Sequence, residues 1–288
     1  MSGGVFLQIA MMGIYTGSLY ALIAIGLTLI FGVLEIVNFA HGEFLMLSMY
    51  GSFWLMKFFG LSPYLSFFIL VPVFFLIGAG IEYLLIQPIV DKPFTIQICV
   101  TLGLSLILSR GALLAWGPGP RVVKSNFASG ILNLSGVYLT YGEFLMFVIS
   151  IFIIMILFLF LYKTYTGKAI RAVAQGRIGA KLLGINVSRI YLLTFGIGIA
   201  CVAAAGVIMS PVYTAIPSIG TTFVMLAFII VVLGGYKSLL GTLLGAFILA
   251  FIEVFTSFLI TPHLKEAVMF GIFILILLWR PSGLLKSK

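Results

Sequence analysis

"GSLYALIAIGLTLIFGVLEIVNFAHGEFLML", residues 17–47, decides how the rest of the chain is read. No Asp, Glu, Lys or Arg precedes Glu35, and residues 5–33 form an apolar run long enough to cross a bilayer. Polar residues then crowd together as Glu35, Asn38, His41 and Glu43, before "FLML" resumes the apolar pattern. Residues 34–42 carry no Lys or Arg, so nothing marks them as a cytoplasmic turn. The alternative is a helix broken inside the membrane, which is tolerated where the backbone is buried in protein or lines a cavity.

The rest of the chain repeats the apolar theme. Hydrophobic residues make up 62% of the 288 residues and charged ones 8%, against about 25% charged in soluble domains. Runs and breakers divide it into about nine segments, with eight as the alternative count. After the first, they lie near 39–54, 64–86, 94–116, 141–162, 191–213, 221–234, 238–260 and 266–280. The expected fold is an all-α polytopic membrane protein with eight or nine transmembrane helices, one transmembrane domain over 1–288. The N-terminus lacks a basic region ahead of its apolar run, so that run is expected to be a retained span.

The net charge of +9 is concentrated. Lys163, Lys168, Arg171, Arg177, Lys181 and Arg189 occupy one loop without an acidic residue, and Arg280, Lys286 and Lys288 the tail. By the positive-inside rule both are cytoplasmic, as is "QPIVDKP", leaving the 117–140 loop and the N-terminus external. A nucleic-acid surface is not expected, since Tyr165 is the basic loop's single aromatic residue. Within this loop (about 163–190) the pattern predicts a helix over 168–183, ended by Gly184. Ile170, Val173, Ala174 and Leu182 share part of one face. Such a face serves either anionic headgroups or a cytoplasmic protein partner.

Enzymatic motifs are missing. "GGYKS" and "YTGKA" lack the spacing of a phosphate-binding loop. His41 and His263 lie far apart, Cys99 and Cys201 have no metal-ligand spacing, and no cofactor or metal is expected. The informative groups are therefore titratable residues in apolar runs: Glu35, His41, Glu43, Glu82, Arg110 and Glu253. Such residues usually face a bundle interior or a water path. Glu82 stands near a cytoplasmic end and is expected to reach the interface. Glu253 is deeper, as a satisfied buried hydrogen bond or part of a path. "GEFLM" at 42–46 recurs at 142–146. Each Glu follows a helix-starting Gly, where a carboxylate meets the positive end of the helix dipole. "GIYTG" and "GTLLG" have the spacing that lets membrane helices approach closely, within this chain or against a partner.

These residues carry a family resemblance. The chain resembles the permease subunits of bacterial branched-chain amino-acid ABC transporters nearly end to end. The opening stretch, "TLGLSLIL" (101–108), "WGPGPR" (116–121), "GKAIRAVAQGRIGAKLLGI" (167–185), "LGGYKSLLGTLLGA" (233–246) and "WRPSGLL" (279–285) are similar to that family's patterns. The resemblance implies a pathway built with a second, homologous permease. It further implies two cytoplasmic ATPases docked on coupling helices, and an extracytoplasmic binding protein delivering the amino acid to a bacterial inner membrane. By position, Gly167, Lys168, Arg171, Ala172, Ala174, Gln175, Ala180, Leu183, Gly184 and Ile185 fall in the ATPase-coupling element. Asn38, His41, Gly42 and Glu43, with Glu253, are the translocation-pathway candidates. Tyr83 and Gln87 depart from the family pattern, and Lys237 is a possible partner contact. The paucity of charge suits an apolar amino acid but equally urea, an amide, a nucleoside or a sugar. An ion-coupled carrier using the buried acids is the rival class.

Overall fold

Nine apolar helices occur where the nine segments are expected, in a computed structural model that describes residues 3–125, 127–134, 137–259, 261, 264–280 and 283–285. The expectations that involve His263, Lys286 and Lys288 lie outside the described residues. In order the apolar helices are α1 (Gly3–Leu34), α2 (His41–Phe59), α3 (Pro63–Ile81), α4 (Phe94–Trp116) and α5 (Tyr141–Lys163). Two short helices, α6 (Tyr165–Gln175) and α7 (Arg177–Leu182), follow in the basic loop. Then come α8 (Val187–Met209), α9 (Ile219–Gly234), α10 (Leu239–Leu259) and α11 (Lys265–Trp279). Six helices are long and apolar enough to cross a membrane, while α9 and α11 are shorter. The loop before α5 holds an unanticipated antiparallel hairpin, β1 (Ile131–Leu134) with β2 (Val137–Thr140).

The two ends of the bundle separate as the charges require. Asp91 after α3 pairs with Arg177 in α7, and Lys237 after α9 pairs with Glu35 after α1. Leu284 in the tail donates its N–H to Leu233. These groups share one end of the bundle, the basic one. At the other end Gln8 exchanges two hydrogen bonds with the Tyr138 backbone, and Arg121 pairs with Ala215.

Helix α1 is the axis, almost wholly buried between α5, α8, α9 and α10. Small residues allow that closeness. A Cβ at Gly13 or Gly17 would strike the Phe251 or Phe247 ring, and one at Gly241 the Gly234 carbonyl. The spaced glycines thus pack helices of this chain on one another.

After Leu34 the chain turns back into the bundle without a helix. Glu35 ends α1 at φ 59°, and His41 Nε2 donates to the Ile23 carbonyl at 3.0 Å. Ile23 precedes Leu34 by eleven residues, so α2 starts roughly 16 Å above the end of α1. Residues 35–40 are therefore re-entrant, the broken-helix alternative. Helix α9 starts beside α2, with a Cβ at Gly42 overlapping the Gly220 carbonyl. From this meeting point α2 runs outward, where Tyr50 stacks on Trp116, and α9 runs to the basic end.

Gly42→Val should destabilise the protein, because overpacking against backbone costs about 1–3 kcal/mol or more. Thermal unfolding in detergent should show a lowered midpoint; an unchanged midpoint would show that the junction can relax.

Candidate coupling element and buried polar site

The basic loop folds as two helices rather than one over 168–183. Thr164, in an extended conformation, caps α6 by accepting the Gly167 N–H at 3.0 Å, which starts the helix three residues early. Gly176 breaks it with an extended backbone, and Gly lowers helix stability at an interior position. Helix α7 ends in a Schellman motif: Ile185 N–H bonds Ala180, Gly184 N–H bonds Lys181, and Gly184 takes φ 79°. The Gly184 stop is as expected.

The break re-sorts the expected residues. Gly167, Ala169, Ile170 and Val173 are buried, and Ala172 and Ala174 half-buried. Gly167 lies so close to Leu161 that a Cβ would overlap its backbone. Arg171 does not point out: Nε donates to the Leu161 carbonyl at 3.1 Å and the guanidinium lies over the Tyr162 ring. Ala180 is buried and Ile185 half-buried. Lys168, Gln175, Leu183 and Gly184 are exposed. Leu182 does not share a face with Ile170 and Val173; the kink at Gly176 turns it outward, to 85% exposure. With Ile178 and Leu183 it forms an apolar surface flanked by Arg177 and Lys181. Ile178 was missed, although the i, i+4 spacing from Ala174 places it beside Leu182 on one face. Arg177 bonds Asp91 at 2.5 Å, which holds the guanidinium more firmly charged than usual. A cleft of 590 Å³ lies beside it, lined by Gln87, Asp91, Arg177 and Tyr191 among others.

Other expectations need correction. Glu35 is exposed and bonds Lys237 at 2.6 Å, because the re-entry starts after it. Lys237 thereby has a partner inside the chain. Glu82 does not reach the interface: it is fully buried where α3 passes into a π-helical turn, Glu82–Ile86, with no hydrogen-bond partner for either carboxyl oxygen. Arg110 is exposed on α4 rather than facing the bundle interior, as most of α4 packs on nothing in this chain.

The structure brings the opening motif together. Asn38 Oδ1 accepts the Ala40 N–H at 3.1 Å, shaping the turn into α2. Asn38, His41 and Glu43 are essentially inaccessible. Glu43 accepts from Ser105 of α4 at 3.2 Å, and its carboxyl group fills the space beside the Gly220 backbone. No side chain caps α2 at Ala40 or α9 at Ser218, so both positive helix ends converge near one carboxylate. Glu143, the counterpart in the repeated pentapeptide, instead completes a capping box with Thr140. Both copies of the repeat start helices, but Glu43 alone of the two is buried between others. Glu253 lies elsewhere, on α10, accepting from Tyr20 at 2.5 Å and Lys265 at 2.8 Å. Tyr20 and Lys265 were missed: a Tyr in an apolar run and a Lys at a helix start carry no signal of pairing.

Comparison with known proteins agrees with this architecture. The model of the branched-chain amino acid transport system / permease component family matches residues 9–277. The high-affinity branched-chain amino acid transport system permease protein BraD of Pseudomonas aeruginosa is 34% identical over 97% of this chain and 95% of its own. The corresponding permease protein LivH of Escherichia coli K12 is 32% identical over the same shares. A probable branched-chain amino acid transport permease protein, LivH of Methanocaldococcus jannaschii, is 30% identical over 87% of this chain and 79% of its own. No solved structure matches the chain. Apolar helices, the re-entrant signature and end-to-end similarity lead to one conclusion: this chain is a multi-pass membrane protein of the branched-chain amino acid transport permease family.

Proposed function

We infer that this protein is the permease subunit of an ATP-driven importer for branched-chain amino acids in a bacterial inner membrane. The similarity to BraD and LivH along nearly the whole chain carries this reading. In it, two cytoplasmic ATPases supply the energy, a second homologous permease completes the pathway, and an extracytoplasmic binding protein delivers the amino acid.

The basic loop is the proposed point of coupling. Ile178, Leu182 and Leu183 give α7 an exposed apolar surface on the cytoplasmic side, edged by cations. Exposed apolar residues rimmed by polar ones suit a protein interface. Helix α6 is fastened to the end of α5 through Arg171 and Gly167, and α7 to the α3–α4 turn through Arg177 and Asp91. ATP binding closes the ATPase dimer and moves α7, and these two attachments pass the motion to different helices. The buried acids contribute no chemistry to the cargo. Glu43 and its neighbours border the path, and alternating access results from helices shifting around it.

Three outcomes are expected. Replacing the phosphate-loop lysine of the partner ATPase should abolish leucine uptake in cells, whereas a gradient-driven carrier would be indifferent. Ile178→Asp combined with Leu182→Asp should leave the permease in the membrane but reduce ATPase co-purification; undiminished recovery would remove α7 as the docking surface. Glu43→Gln should lower the uptake rate at normal permease abundance, and wild-type rates would restrict Glu43 to starting α2.

A further inference from the structure

A second polar centre, around Glu253, lies on the other side of the first turn of α9 from Glu43. Glu253 is 9% exposed, more than halfway along α10 from the basic end, and each of its carboxyl oxygens has one partner. Tyr20 occupies one and Lys265, at the start of α11, the other. The Lys265 side chain remains 37% exposed. Both groups face a cavity of 490 Å³, within the roughly 300–1,000 Å³ typical of small-molecule pockets.

Donor and acceptor capacity is left over. A lysine ammonium has three N–H groups and spends one on Glu253; an ionised carboxylate accepts about four hydrogen bonds and here receives two. The first turn of α9 also reaches the cavity through Ile219, Thr221 and Thr222, and no side chain caps that helix. Lys265 favours a carboxylate and Glu253 an ammonium. The remaining wall is apolar, with Leu226, Ile229 and Met269.

The geometry points to this cavity as a waypoint for a zwitterionic aliphatic α-amino acid, its carboxylate on Lys265, its ammonium on Glu253 and its side chain against the α9–α11 wall. The assignment rests on the cargo proposed above and names where the permease itself meets it. A metal cation fits poorly: among the described residues no group of three ligating side chains occurs, and Lys265 would repel it. A plain anion would be opposed by Glu253. A zwitterion exchanges one ion pair for two and leaves neither Glu253 nor Lys265 unpaired, which matters in a low-dielectric setting.

The test uses the assembled transporter in membrane vesicles without nucleotide. Thr222, exposed at the cavity, becomes the reporter as Thr222→Cys, with the exposed Cys99 replaced as Cys99→Ser. Leucine at four times its dissociation constant should slow maleimide labelling about fivefold by mass action. The acid 4-methylpentanoate and the amine 3-methylbutylamine should protect far less. Lys265→Met should remove the protection and Lys265→Arg retain it. Equal protection by all three compounds, none by leucine, or full protection in Lys265→Met would each overturn the site. Leucine uptake by the unmodified transporter is measured in parallel. Uptake without protection defeats the site alone; no uptake defeats the cargo reading and this amino-acid site with it.

Discussion

A backbone that re-enters a membrane bundle without a helix has little water to turn to, and residues 36–40 do so. An unsatisfied buried peptide group in lipid costs several kcal/mol. The re-entrant segment meets that demand inside the protein. Glu35 N–H bonds Phe31, the Val37 carbonyl accepts from Thr101, and the Asn38 side chain and carbonyl accept from Ala40 and His41. The segment therefore needs α1 on one side and α4 on the other. Much else follows from it. Helix α1 must be buried, since its C-terminal half carries His41, and α2 and α9 must start where small residues let two backbones touch. Gly42 and Gly220 are required there by close approach rather than by dihedral angle.

The same stretch explains the limits of reading the chain as letters. Apolar run lengths located all nine helices because hydrocarbon thickness imposes length directly. The end of α1 was legible to within a residue, but its manner was not. A left-handed residue at a helix terminus is usually Gly, and here it is Glu35. It is accompanied by a contact remote in sequence, an ion pair with Lys237 202 residues away. Helix propensity over 168–183 was read correctly as helical and incorrectly as continuous. Glycines among good formers, Gly176 and Gly179, are compatible with either outcome, and the fixed positions of α5 and of the α3–α4 turn decide it. The turn's partner, Arg177, sits on the far side of the break from Arg171.

Of the site residues, those defined by backbone geometry were the easier to see. Gly184 takes the role that a helix stop requires, whereas the close approach of Gly167 to Leu161 carries no signal in the sequence. Residues defined by pairing were not visible. Nothing near Glu253 announces Tyr20 or Lys265, and nothing near Glu82 announces that it is buried without a partner. Charge sign and hydropathy assign a residue to a depth; only the packed bundle assigns it a neighbour.

The two buried carboxylates with partners are held by different physics. Glu43 lies where two helix starts converge, and those partial charges belong to the backbone. They cannot leave without moving α2 or α9, so Glu43 is held by backbone at the junction of two oppositely directed helices. Glu253 is balanced by Lys265, a flexible side chain that retains over a third of its accessibility. Flexible ammonium groups can exchange partners at the cost of a few side-chain rotations. On the proposed reading a pathway for a dipolar cargo uses both arrangements: Glu43 holds the junction of α2 and α9, and the Glu253–Lys265 pair, which shares the first turn of α9 as a wall, gives way as the cargo passes.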